Sequence, residues 1–104
     1  MRATVYTKAA LLDVLLKNRE AIKSYGVKEL GLFGSFAVDT KINDASDVDL
    51  MVEFVPGKKS YDNFMELSFY LEEILGRKVE LVTLQSLSKY IGPHILKQVE
   101  HVSL

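Results

Sequence analysis

The chain has 104 residues, 13 Lys and Arg against 14 Asp and Glu, a formal net charge of −1 and no cysteine. Absence of cysteine excludes a disulfide scaffold and a thiolate metal site. The basic residues are scattered and form no stripe, so direct binding to a nucleic-acid backbone is not expected. At 48% hydrophobic residues, the length suits one domain over residues 1–104. Surplus apolar surface is either absorbed by the core or left for a partner or a homo- or hetero-oligomer contact.

Met1–Tyr6 lacks the apolar core of a signal peptide, and no apolar run approaches the length of a membrane span. A soluble cytoplasmic protein is expected. Thr7 is placed to cap a helix running to about Ser24. Leu11, Leu12, Val14, Leu15, Leu16 and Ile22 give that helix an apolar face at helical spacing, and Gly26 stops it. Val27–Phe33 reads as a buried strand. Gly31 within it marks close helix packing or an approaching ligand, and packing is the preferred reading. Gly34 ends the strand, and Ser35 opens a short helical turn through Val38. A polar loop follows, with Asp39, Lys41, Asn43 and Asp44 as turn formers.

Val48–Val55 is the second expected strand, ended by Pro56-Gly57. Ser60 caps a second long helix, with Asp62 in its first turn and Gly76 at its end. Phe64, Leu67, Leu71, Ile74 and Leu75 line one face. Tyr61, Met65, Phe69 and Tyr70 widen the apolar surface, which suits cover on a second side or a partner. Lys78–Leu84 alternates as a third strand. Ser86–Tyr90 reads as a short helix, Gly92-Pro93 breaks it, and His94–Val102 reads as a last helical segment. The expected fold class is α/β (α+β), a small mixed sheet packed against helices.

The chemistry concentrates between Phe33 and Phe54. A strand-to-helix turn at Gly34-Ser35 presents backbone N–H groups to which a phosphate is the natural partner. Asp47 and Asp49 lie two apart in an apolar run, so a strand projects both from one face while Val48, Leu50 and Val52 enter a core. Adjacent like charges are costly without a bridging cation, and Mg²⁺ prefers oxygen ligands and retains phosphates. Glu80, on a strand able to neighbour theirs, is a third candidate carboxylate. Glu53 shares the same face further along and is read as solvent-exposed; His94 is read as structural or exposed.

Gly34-Ser35-Phe36-Ala37 followed by Ser46-Asp47-Val48-Asp49-Leu50 resembles the signature of the DNA polymerase β-like nucleotidyltransferase superfamily. At this length, the chain is most similar to its minimal, MNT-type members, typically the antitoxins of HEPN/MNT toxin–antitoxin pairs. The resemblance implies a nucleotidyltransferase fold and transfer of AMP from ATP to a tyrosine of a HEPN-type toxin, which is an RNase. It implies that Asp47, Asp49 and Glu80 are catalytic and hold metal, with Glu80 helping to activate the acceptor. It also implies that Gly34 and Ser35 hold the nucleotide's phosphates. The chain departs from the pattern where Val38 and Asp39 replace Arg-Gly, where the loop Phe36–Ser46 is one residue longer, and where Glu80 replaces Asp. Two alternatives stay open: on these departures, a catalytically impaired protein that neutralises its toxin by binding; and a subunit acting on a small molecule such as an antibiotic, against which the short chain argues unless a partner subunit supplies the acceptor pocket.

Overall fold

The computed structural model describes residues 4–38, 42–43, 45–58, 60–84, 86 and 98–104. The expectations for Asp39, Lys41, Asp44, His94, the rest of the Ser86–Tyr90 helix and the Gly92-Pro93 break fall outside these residues. Helices α1 (Lys8–Lys17) and α2 (Arg19–Ser24) are followed by β1 (Val27–Phe33), α3 (Ser35–Val38) and β2 (Val48–Phe54). Then come α4 (Tyr61–Leu75), β3 (Val79–Thr83) and β4 (Glu100–Val102). Thr7 caps α1 as expected, its side-chain oxygen accepting from the Ala10 N–H. The single helix expected from Thr7 to Ser24 is instead two, divided at Asn18. The Asn18 amide donates to the Val14 carbonyl at 2.8 Å and accepts from the Tyr70 hydroxyl at 3.0 Å. A side chain that competes for helix carbonyls bends the helix at that point, and here it also ties the joint to α4.

The second long helix begins and ends where its residues dictate. The Ser60 hydroxyl accepts from the Asn63 N–H at 3.1 Å, and Gly76 closes α4 in a left-handed conformation with φ of 67°.

The strands form one mixed sheet in the order β3-β2-β1-β4. β1 runs antiparallel to β2 and to β4, whereas β2 and β3 are parallel. Strand alternation divides the sheet into two faces. Leu30, Leu32, Val48, Leu50, Val52, Val79 and Val102 join Leu11, Leu15, Ile22, Leu67, Leu71, Ile74 and Leu75 of the helices in one core. Asp49, Met51, Glu53 and Glu80 belong to the opposite face, away from that core. Gly31 is crowded by strand neighbours rather than by the helix packing expected there, since a Cβ would stand 2.4 Å from Val99 Cγ1 and 3.2 Å from Met51 Cε.

The helix expected to reach Val102 is corrected at its end, where residues 100–102 are strand β4. Spacing in a short apolar run does not separate helix from strand. The open edge of β1 decides the matter. Leu30 pairs with Val102 and Leu32 with Glu100, which satisfies backbone groups that solvent or another chain would otherwise meet. Lys8 Nζ, 2.6 Å from Glu100 Oε1, fastens α1 to this edge strand.

Candidate active site

β2 lies between β1 and β3, so Asp49 has a cross-strand neighbour on each side. On one flank it is registered with Phe33, the residue before Gly34; on the other it is registered with Glu80. In-register residues of neighbouring strands share a face. Asp49 and Glu80 therefore stand side by side, and Asp47, two residues before Asp49, sits at the mouth of the same strand. Burial raises the Asp49 carboxyl above its ordinary value of 3.8, and the charges of Glu80 and Asp47 raise it further. Both neighbours are close enough to oppose the ionisation of Asp49.

Gly34 completes the other flank. Its φ is 74°, and a Cβ on it would lie 2.1 Å from Asp49 Oδ2. Both facts demand glycine, one through backbone conformation and the other through space. The missing side chain lets the turn lie directly against the Asp49 carboxylate. Ser35 follows at the start of α3, and the Ala37 N–H donates to the Gly34 carbonyl at 3.1 Å. Phe36 is fully buried and anchors the turn to the core, while Val38 stands exposed.

Among the described residues, no three His, Cys, Asp or Glu side chains stand close enough together to enclose a metal ion. Glu80 leans toward Lys78, whose Nζ lies 3.7 Å from its Oε1. The pair is half-exposed, so water screens it heavily and it constrains Glu80 little. The donor set nonetheless fits a hard divalent cation. It offers carboxylate oxygens and a partly desolvated Asp49 whose ionisation is opposed by its neighbours. Glu53 lies further along β2 and pairs across the ladder with Glu29, not with the carboxylates at the mouth. His101 is exposed in β4 opposite Gly31, away from the site.

Sequence reasoning gave no role to Arg77, which is 7% exposed. Its Nε donates to the Val5 carbonyl, and its Nη1 donates to the carbonyls of Asn43 at 2.8 Å and Ser46 at 2.9 Å. The guanidinium also lies 4.9 Å from the centroid of the Tyr6 ring and 5.2 Å from that of Phe36. A polar cavity of about 380 Å³, bounded by Tyr6, Ser46, Asp47, Arg77 and Lys78 among others, opens beside this cluster. Between Gly76 and Lys78, an arginine reads in sequence as a solvated loop residue. Its hydrogen-bond partners lie 72, 34 and 31 residues away in the chain, so no local pattern announces them.

The family model described as nucleotidyltransferase domain matches residues 15–101. A Methanocaldococcus jannaschii protein provisionally named a protein adenylyltransferase is 38% identical over 96 residues, which cover 90% of this chain and 92% of that protein. Protein adenylyltransferase MntA of Thermococcus cleftensis is 40% identical over 86 residues, covering 81% of this chain and 83% of its own. Among solved structures, a minimal nucleotidyltransferase superposes with a TM-score of 0.67 at 30% identity, covering 89% of this chain and 95% of that one. A chain from the complex of a tri-AMPylated Shewanella oneidensis HEPN toxin with its MNT antitoxin gives 0.65 at 20% identity, a likeness of fold, covering 93% and 72%. The agreement runs through sequence and fold alike and spans most of the chain, which makes this protein an enzyme of the nucleotidyltransferase domain family, of the minimal MNT type.

Proposed function

We propose that the chain is the antitoxin of a HEPN/MNT pair, a single cytoplasmic nucleotidyltransferase domain that moves AMP from ATP onto a tyrosine hydroxyl of its partner toxin. The observation that carries the proposal is the Asp49 carboxyl, raised by burial and by Glu80 and Asp47, lying against a turn where only glycine fits. The names of its relatives support protein as the acceptor. Complexes with HEPN toxins among its neighbours in fold support the kind of partner.

In this reading Asp47 and Asp49 would hold Mg²⁺, joined by Glu80 once the side chain leaves Lys78. The ion would neutralise charge on the triphosphate and on the pentacoordinate phosphorus. Gly34 and Ser35 bind the β- and γ-phosphates through backbone N–H groups and the Ser35 hydroxyl. Glu80 accepts the proton of the tyrosyl hydroxyl. The tyrosyl oxygen bonds to the α-phosphorus as the bond from that phosphorus to the pyrophosphate oxygen breaks. Val38, where the family pattern has a cation, is exposed and adds no charge of its own.

The test is incubation with Mg²⁺, ATP labelled at the α-phosphate and the product of the neighbouring gene. Label on that protein, lost in Asp47→Asn and Asp49→Asn, is expected. A tight complex without label, insensitive to both substitutions, would instead make the protein a neutraliser by contact. Label on a small molecule alone would make it an enzyme of that class.

A further inference from the structure

Arg77 is buried, and among the described residues no carboxylate pairs with it. A guanidinium removed from water costs several kcal/mol unless its donors and its charge are matched. Here the match comes from three carbonyls and two aromatic faces, and Nη2 is buried with no hydrogen-bond partner. Packing between Tyr6 and Phe36 alone would be served better by an apolar side chain. What an apolar side chain lacks is the directed bonding of Nη1 and Nε.

Those bonds converge on the approach to Asp47. Asn43 and Ser46 are bonded to each other: the Asn43 N–H donates to the Ser46 hydroxyl at 3.0 Å, and the Ser46 N–H donates back to the Asn43 carbonyl at 3.1 Å. The Ala45 N–H donates to Asn43 Oδ1 at 2.8 Å. These bonds tie Asn43, Ala45 and Ser46 to one another, and the group also has an attachment toward the sheet. Arg77 Nη1 supplies it by grasping both ends, Asn43 and Ser46, from the lead into β3. One residue later the Val48 N–H donates to the Lys78 carbonyl at 3.0 Å, so Asp47 is held between two ties to the same strand. Contact with Phe36 reaches the residue after Ser35, so the same side chain touches the supports of both halves of the site.

We propose that Arg77 is a positioning residue for nucleotidyl transfer, a clamp that fixes the turn before Asp47 so that its carboxylate is presented beside Asp49. This rests on the reading of Asp47 and Asp49 as the metal-holding pair. Groups that orient metal-holding side chains through hydrogen bonds are worth about 10–100-fold in metal affinity or activity.

Mn²⁺ binding by the metal-free protein, followed by calorimetry, tests the clamp without requiring turnover. Arg77→Lys and Arg77→Met, at a temperature where circular dichroism shows each folded, are expected to bind Mn²⁺ about 10–100-fold more weakly. Their kcat should fall by a similar factor, with complex formation with the toxin unchanged. Folded variants with wild-type Mn²⁺ affinity and kcat, altered only in Tm, overturn the proposal. If neither variant folds, the wild type decides by nuclear magnetic resonance. Mg²⁺ is expected to shift the Arg77 side-chain Nε–H signal together with the amides of residues 45–48, and Asp47→Asn should abolish the shift. An Arg77 signal that stays still while the Asp47 and Asp49 amides move overturns it. Failure of the wild type to bind Mn²⁺ at all overturns the metal-site reading along with the clamp, whereas tight binding by folded Arg77 variants overturns the clamp alone.

Discussion

Gly34 and Asp49 are a matched pair, and each can be tested through the other. Placing a Cβ at Gly34 sets it 2.1 Å from Asp49 Oδ2 on a backbone with φ of 74°. Gly34→Ala should lose about 1–3 kcal/mol from conformational strain alone. Nucleotide transfer should fall further than stability, because the displaced group is the Asp49 carboxylate; melting curves beside the label assay check both. Asp49 itself makes a prediction with a definite sign. Its folded pKa is raised, so the folded state holds the proton more tightly than the unfolded chain. Stability from this group is therefore present at low pH, is lost as pH rises from 3.8 through the raised value, and stays lost above it. In chelator at neutral pH, Asp49→Asn should melt higher than wild type, with the advantage shrinking toward about pH 4. Melting series in chelator between about pH 4 and pH 8 read this; an Asn variant that melts lower throughout would mean the carboxylate forms bonds that outweigh its repulsions.

Helix α4 shows how one element serves two surfaces. Leu67, Leu71, Ile74 and Leu75 are buried against the sheet, while Tyr61 and Phe69 are 76% and 62% exposed. The breadth of its apolar pattern is thus divided between core and surface. Phe69 borders a shallow groove with Tyr25, Tyr70, Glu66 and Glu73. If the partner toxin docks here, Phe69→Glu should weaken the complex by about tenfold or more, the threshold of an energetically important contact residue. Melting temperature should hardly change, since surface substitutions stay within about 0.5 kcal/mol. Titration of the variant against the partner, together with a melting curve, separates the outcomes. Unfolding would mark Phe69 as core, and an unchanged Kd would move the interface elsewhere.

For the whole molecule, the acidic face is a store of repulsion that a ligand can relieve. Binding to the folded state alone raises stability by about 2.7 kcal/mol at a ligand concentration 100 times Kd. At that concentration Mg²⁺ with a non-hydrolysable ATP analogue should therefore raise Tm by about 10–20 °C, since about 1 kcal/mol moves a domain of this size by about 4–8 °C. Asp47→Asn should lose most of that rise while keeping the metal-free Tm close to wild type. A rise of equal size in both proteins would place the nucleotide away from Asp47. Sheet order explains why the effect concerns the fold as a whole: the ligand would contact β1, β2 and β3 at once, through Gly34, Asp47 with Asp49, and Glu80.

Helices α1 and α4, strands β1 to β3 and the caps Thr7, Ser60 and Gly76 were legible because their signals are local: periodic apolar residues, a hydroxyl before a helix, a glycine after one. The outward face of Asp49, opposite Val48, Leu50 and Val52, was legible for the same reason, since the two-residue period of a strand assigns faces within a few positions. The break at Asn18 was not, because an asparagine amid apolar helical spacing does not by itself announce that its amide will turn back onto the Val14 carbonyl. Strand β4 was not, because the edge of β1, rather than the pattern of residues 99–102, selects it. The closeness of Gly34 to Asp49, the pairing of Asp49 with Glu80 and the burial of Arg77 were settled only by tertiary structure. Each depends on chain segments that sequence leaves far apart, brought together by one core on one face of one sheet.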